Sequence, residues 1–335
     1  MYCAGTSSVR RRRFSVDASS AAAAGPAAAV SAAAGPAVEP AGPRGGRGGG
    51  HRQSYGALGL VVSGCVSVQF GAALAVSLMG RTGVLGIVAL RLVLAALVLL
   101  AVCRPSLRGH SRADWTTVLV FGAVLAAMNG CFYEAVDRIP LGAGVTLEVL
   151  GPLALSVIAS RRLVNVVWAV CALAGVVLLS GVAGGGIGPL DPVGIAFGLA
   201  AAVMWGTYIV FSARTGRRFP QADGLALAMA FGAVLALPFG IVDSGSAMLS
   251  PTTVGLAFGV AVMSSVLPYT FELLALRRLP AATFSVLMSL EPAIAATAGF
   301  LVLHQAVSLV DAVAIALVIG ASVGAIRTQF KTLGN

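Results

Sequence analysis

Charge is scarce in this chain. Of 335 residues, 10% are Asp, Glu, Lys or Arg while 58% are hydrophobic; a soluble domain carries about a quarter charged residues. Too few charges are present to cover a globule in water, so a soluble protein is excluded. Lysine is nearly missing, Lys331 being the only one. Histidine is rare as well. His51, His110 and His304 fall in the N-terminal tail, a loop and the end of an apolar run. No His/Asp cluster or Ser with a base stands within the apolar runs, so a membrane enzyme lacks its catalytic set. The five cysteines (Cys3, Cys65, Cys103, Cys131 and Cys171) are odd in number and scattered, without CxxC or Cys/His spacing. That excludes a disulfide framework and a zinc site. Each reads as a reduced structural thiol, and neither metal nor cofactor is expected.

What is present is apolar length. A helix that crosses about 30 Å of hydrocarbon at 1.5 Å per residue needs about 20 residues. From Tyr55 onward the chain offers ten such runs, near 56–79, 83–103, 115–134, 140–160, 163–182, 192–212, 222–242, 252–275, 281–303 and 307–326. Turn signals separate them: Arg104–Pro105, Ile139–Pro140, Gly184–Pro189, Phe219–Pro220, Ser250–Pro251 and Leu279–Pro280. The 42 glycines suit membrane helices, where they permit close backbone approach. Residues 1–53 are of another kind, rich in Ala, Gly, Pro and Arg and without apolar periodicity. Such a segment buries too little to offset its ordering entropy and is expected to be a disordered cytoplasmic tail. Arg10–Arg13 before Phe14 resembles a twin-arginine signal, but Asp17, Gly25–Pro26 and Gly35–Pro36 interrupt the stretch where a compact apolar region would follow.

The positive charges test this layout. With the tail inside and sides alternating, 19 of the 22 Lys and Arg residues fall on the cytoplasmic side. Arg81 and Arg138 fall outside and Arg91 lies within a span. Lys and Arg are biased to cytoplasmic loops, and dropping or adding one span scrambles the split. The formal net charge of +10 is therefore a topology signal. Scattered among loops, it forms no single patch for nucleic acid.

An internal repeat appears as well. Arg138, Pro140, Leu147, Leu150 and Pro152 recur as Arg278, Pro280, Leu287, Leu290 and Pro292, at a constant offset of 140 residues. Each copy spans the junction between the third and fourth runs of a five-run set. Five is odd, so the second set enters the membrane from the opposite side, the arrangement of secondary transporters. The expected fold is an all-α integral membrane protein of ten transmembrane helices in two inverted five-helix repeats, 54–183 and 190–327, with 328–335 a cytoplasmic tail.

An ionisable group at membrane depth costs at least about 2.5–3.5 kcal/mol and marks function or obligate pairing. Four of the five glutamates fall within spans: Glu134, Glu148, Glu272 and Glu291. Glu148 is the leading candidate for substrate binding and proton coupling. Pro152, four residues on, removes the hydrogen bond to its carbonyl, so one position offers a carboxylate and an open backbone acceptor. Glu291, beside Pro292, is the second candidate for both roles, although Glu148 itself aligns with Met288. Glu134, near a span end, reads either as a site residue or as a charge reaching the interface. Arg91 reads either as a ligand for a substrate carboxylate or as a structural partner of a glutamate. Asn129 and Tyr133 lie four apart on one helix face; Tyr269 and Glu272 share another. Gln69, Trp205 and Tyr208 complete the candidate binding set, while Trp115 and Trp168 read as interfacial anchors.

These residues also carry a family likeness. Tyr133-Glu134-Ala135, Arg138-Ile139-Pro140-Leu141-Gly142, Thr146-Leu147-Glu148 and Gly151-Pro152-Leu153 resemble the EamA-type members of the drug/metabolite transporter superfamily, nearest the threonine/homoserine exporter branch. Leu267-Pro268-Tyr269, Glu272, Arg278-Leu279-Pro280-Ala281 and Leu290-Glu291-Pro292-Ala293-Ile294-Ala295-Ala296 agree, so the likeness covers residues 55–327. It implies two inverted five-helix repeats around a central cavity and proton-driven export of small amino acids by alternating access. A zwitterion would place its ammonium on Glu148, with Glu272 or Glu291, and its carboxylate on Arg91 or on Asn129 and Tyr133. The implied partners are a small-molecule substrate, protons and membrane lipid. A drug, purine or sugar metabolite is the alternative solute, but buried charges of both signs favour a zwitterion over a phosphate-bearing one. The Arg-rich, Lys-poor composition points to a high-GC bacterium, hence a multi-pass protein of the bacterial cell membrane with both termini cytoplasmic. The long basic tail departs from the family pattern.

Overall fold

The computed structural model describes residues 50–160, 163–179, 189–219, 223–268, 271, 275 and 286–333. Among these residues the chain is all-helical. The helices are α1 (Gly50–Thr82), α2 (Val84–Cys103), α3 (Arg112–Arg138), α4 (Leu141–Glu148), α5 (Leu150–Ser160), α6 (Leu163–Leu179), α7 (Pro192–Gly216), α8 (Asp223–Ser244), α9 (Pro251–Ala261), α10 (Glu291–Leu303) and α11 (Leu309–Leu333). The tail expected over 1–53 lies outside the described residues except for its last four positions, which extend α1 back to Gly50. Likewise α11 runs through the expected C-terminal tail to Leu333. Arg161, Arg162 and the Arg278–Pro280 copy of the repeat lie outside the described residues.

Seven of the helices are long and apolar enough to cross a membrane, and three shorter apolar helical stretches lie at 141–155, 166–179 and 251–266. Their outward faces are what lipid requires. Val170, Leu173, Val234 and Phe239 stand about 60% exposed and Val242 88%, an apolar surface that water would not tolerate. The protein is thus a multi-pass membrane protein.

Local chemistry sets the ends. Ser111 and Asp114 form a reciprocal capping box at the start of α3. Asp191 caps α7 ahead of Pro192, and Ser250 caps α9 ahead of Pro251. Between α1 and α2 the chain reverses at Gly83, whose φ of 67° suits glycine. The α2 N-terminus has no side-chain cap of its own. Asp243, at the end of α8, supplies one by accepting from Leu85 N–H at 2.8 Å and Gly86 N–H at 3.4 Å, while the Ser244 hydroxyl donates to the Thr82 carbonyl. At the other end of the bundle Arg218, just past α7, pairs with Asp114 of α3 at 3.1 Å.

Two breaks matter most. The expected helix 140–160 is interrupted at Val149, dividing α4 from α5, and a second turn at Ser289–Leu290 precedes α10. Pro152 and Pro292, which lack a backbone N–H, stand just past these breaks, where a helix's first turn tolerates proline. The breaks are related by the same 140-residue offset as the sequence repeat. A third irregularity follows α9, where Val262–Val266 widens into a π-turn before Pro268.

The helices pack in definite partnerships: α2 with α8, α3 with α7 and α8, α4 with α7 and α10, α6 with α11, α1 with α10, and α9 with α1 and α2. One large core cluster joins α1, α2, α3, α7 and α8. Between these elements, beside both breaks, lies a cavity.

Candidate functional site

The cavity leaves about 140 Å³ open to water-sized guests, room for several waters or a small solute. Both halves of the chain line it. Gln69 comes from α1, Arg91 from α2, Asn129 from α3 and Glu148 from the last position of α4. The second half supplies Trp205 and Tyr208 from α7, Ser264 and Ser265 from the π-turn, and Met288 and Glu291 from the second break. Each break therefore delivers a glutamate to one space. Glu148 sits where α4 stops, and Glu291 opens α10.

Seven of the ten candidate site residues meet here: Gln69, Arg91, Asn129, Glu148, Trp205, Tyr208 and Glu291. Tyr133 does not reach the wall. It is fully buried behind Arg91, with its hydroxyl accepting from Arg91 Nη1 at 2.7 Å and its ring 5.4 Å below the guanidinium carbon. Its helical spacing from Asn129 places both on one face but sets no depth, so the structure gives Tyr133 a supporting position. Tyr269 and Glu272 lie outside the described residues. Glu134 is apart from the cavity. It pairs with Arg138 one turn along α3 at 2.5 Å, at a helix end, as the interfacial alternative has it.

No ion pair joins Arg91 to Glu148 or Glu291 among the described residues. Its Nε–H is buried without a hydrogen-bond partner, and so are Gln69 Oε1 and Ser264 Oγ. Five such side-chain atoms occur among the described residues, and these three belong to cavity walls. Unsatisfied buried polar atoms are costly, and although each of these three is itself closed to a water-sized guest, their residues line one space together with two glutamates and an asparagine. Asn129 spends its amide on the Leu125 carbonyl at 2.8 Å, which leaves its side-chain oxygen for a guest. The wall thus combines two carboxylates for a cation, one guanidinium for an anion, and neutral donors and acceptors between them.

The sequence did not single out Ser264, Ser265 or Met288 for this wall. Serine is cheap inside a membrane helix and carries no charge, so nothing in its position announces a role. The signal available was the Ser pair ahead of Pro268, and the 140-residue offset that makes Met288 the counterpart of Glu148. The offset also explains why Glu291 has no carboxylate opposite it. Its counterpart, Gly151, lies against α7, where an added Cβ would stand 1.9 Å from the Ala202 carbonyl oxygen.

Comparison with known proteins agrees with the architecture. Residues 192–327 match the EamA-like transporter family. The chain is 35% identical to the threonine/homoserine exporter RhtA of Escherichia coli over 272 residues, 81% of this chain and 92% of that protein. It is 37% identical to the threonine/homoserine exporter RhtA of Salmonella typhimurium over 262 residues, 78% of this chain and 88% of that protein. One crystal structure, 21% identical, superposes with a TM-score of 0.53 over 82% of this chain and 98% of its own, a likeness of fold alone.

Proposed function

The chain belongs to the EamA-like transporter family of membrane transporters, and from that premise we propose that it exports small amino acids of the threonine and homoserine kind, coupled to proton entry. The relatives that carry the exporter name align over most of their length, which supports the substrate class. The single observation that carries the reading is the cavity itself. Two glutamates, each at a break in a helix, and one arginine line a single space.

In this reading the ten apolar runs make ten crossings, α4 with α5 forming the fourth and α9 with the π-turn the eighth. The units are 54–183 and 190–327, inverted with respect to each other. The packing partnerships support that symmetry. Exchanging each crossing for the one five places away turns the contact of the fourth and sixth into that of the ninth and first. It turns the contact of the third and seventh into that of the eighth and second. The pairs 2 and 7, 4 and 9, and 5 and 10 map onto themselves, and every one of these contacts occurs. Interrupted helices in corresponding positions of the two halves mark the substrate site of such carriers. The basic 1–49 segment and the C-terminus then face the cytoplasm, as the bias of the positive charges favours.

Mechanistically, the substrate carboxylate pairs with the Arg91 guanidinium, which Tyr133 holds. The ammonium lies between Glu148 and Glu291. A carboxyl shielded from water holds a proton until a cation or solvent displaces it. Release of the amino acid outside lets the glutamates take protons there, and alternation of the two halves carries those protons inward. The test is efflux of radiolabelled threonine from preloaded cells that express the chain. Export above the vector control, abolished by a protonophore, is expected. Equal efflux from expressing and control cells for both threonine and homoserine contradicts the assignment.

A further inference from the structure

We propose that Gln305 is a latch that holds the short helix α4 on α10 and keeps the cavity closed toward the outer face, so that release of this one side chain opens the site to the outside. The inference rests on the topology and the export reading above and adds to them the contact that governs release.

The latch is built from both halves of the chain. α4 has only the eight residues Leu141–Glu148, and Pro140 ahead of it gives no side-chain cap. Gln305, between α10 and α11, supplies one across the bundle, its Oε1 accepting from Leu141 N–H at 3.0 Å. The local chain is shaped for this. Just past α10, His304 takes the left-handed conformation with a φ of 54°, and Gln305 N–H turns back onto the Gly299 carbonyl at 3.1 Å. Gly299 leaves the room that the Gln305 side chain needs, because a Cβ there would lie 2.5 Å from Gln305 Oε1. Deeper in, a Cβ on Gly142 would lie 2.7 Å from Ala296 Cβ. Between the glutamates and the outer end, the two helices thus touch almost backbone to backbone and leave no path for a solute.

This contact is also the one built to part. α4 joins the rest of its crossing through the break at Val149, so it can swing as a body about that point and carries Glu148, its last residue, with it. A second cavity of about 30 Å³, lined by Pro140, Gly142, Ala296 and Gln305 among others, flanks the latch. It has room for a water, which can satisfy Leu141 N–H once Gln305 leaves. The other tie between the halves at the outer end is stronger. There the Asp243 carboxylate accepts from Leu85 and Gly86 N–H, and the Ser244 hydroxyl donates to the Thr82 carbonyl. Hydrogen bonds to a charged acceptor outweigh a single neutral one, so the outer end yields first at Gln305. Swinging α4 off α10 draws Glu148 away from Glu291, which loosens the hold on a bound ammonium as the path opens.

The experiment places a cysteine in the cavity wall, Ser265→Cys, and follows its modification by a membrane-impermeant thiosulfonate in intact cells and in inverted vesicles, read at that residue by peptide mass spectrometry. Gln305→Leu, which loses the acceptor, is expected to label about fivefold faster from the outside and more slowly from the inside. Gln305→Glu, which keeps an acceptor at a helix N-terminus, is expected to stay within about twofold of the unaltered latch. A merely structural role would raise both rates together. That result, like unchanged rates in Gln305→Leu, overturns the latch. A covalent link gives the converse test. A Cβ on Gly299 would stand 3.5 Å from Leu141 Cβ, within disulfide range. In the Gln305→Ala chain, Leu141→Cys with Gly299→Cys, once oxidised, is expected to lose outside labelling and threonine efflux, and dithiothreitol to restore both. Undiminished efflux with the disulfide formed overturns the proposal and leaves the export reading intact. The predicted labelling pattern in a chain that exports neither threonine nor homoserine removes the export reading and leaves the latch.

Discussion

At the scale of single residues, the arrangement turns on what holds Arg91. Its charge is not neutralised by an ion pair among the described residues; it is set by Tyr133 through one hydrogen bond and the face of one ring. A planar guanidinium gripped at one end presents its remaining N–H in a fixed direction, which a lysine ammonium cannot reproduce. Arg91→Lys is expected to weaken threonine binding about tenfold, about 1.4 kcal/mol. Tyr133→Phe removes only the gripping hydroxyl and is expected to cost about 0.5–1.5 kcal/mol. Since the two act as one unit, the double variant should bind threonine no worse than Arg91→Lys alone. Quenching of tryptophan fluorescence by threonine measures this, because Trp205 stands in the cavity wall. Additive losses would place Tyr133 in a separate role.

At the scale of helices, the site depends on places where regular structure stops. Pro152 made the freed Glu148 carbonyl readable from sequence, since a proline cannot donate to the carbonyl four residues earlier, but the full breaks at Val149 and Ser289–Leu290 were not expected within the runs 140–160 and 281–303. The glutamates beside them stand out because charge is so rare in these runs. That is why Glu148, Glu291, Arg91 and their polar neighbours were legible. The depth of Tyr133 was not, because an i, i+4 spacing fixes a face and leaves open what packs behind it. The π-turn was not legible either, since its residues Val262–Val266 have ordinary helical composition and only their contact with α1 distinguishes them. Nor did the sequence announce Gln305, whose side-chain oxygen accepts from Leu141 N–H at 3.0 Å and so caps α4 from the far side of α10. Helix crossing also dictates Gly151. Gly151→Ala drives a Cβ into the Ala202 carbonyl and displaces α7, which carries Trp205 and Tyr208. A loss of about 1–3 kcal/mol is expected, visible as a lower thermal midpoint in detergent. Gly130→Ala, with nothing within 4 Å of the added Cβ, is the control and should be neutral or slightly stabilising.

At the scale of the whole molecule, the proposed topology assigns the two tied ends of the bundle to opposite sides of the membrane. The cluster of Thr82, Gly83, Asp243 and Ser244 faces outward, and the Asp114–Arg218 pair faces the cytoplasm. Ser246 and Arg217 are exposed beside these two clusters. A cysteine placed at Ser246 should react with a membrane-impermeant maleimide in intact cells, while one at Arg217 should react only after permeabilisation. The opposite pattern would invert the molecule and with it the direction of the positive-charge bias. The apolar helices themselves and their rough limits were readable because hydrocarbon thickness fixes a length. Their partnerships were not, since the runs look alike in composition and small-residue contacts decide which helix meets which.

The central claim is that the two cavity glutamates couple the substrate to protons. The measurement that bears on it most directly is threonine transport into proteoliposomes under an imposed proton gradient, for wild type and for the Glu148→Gln/Glu291→Gln variant. The account predicts gradient-driven accumulation in wild type and none in the variant. Accumulation of equal size and equal pH dependence in both would contradict it.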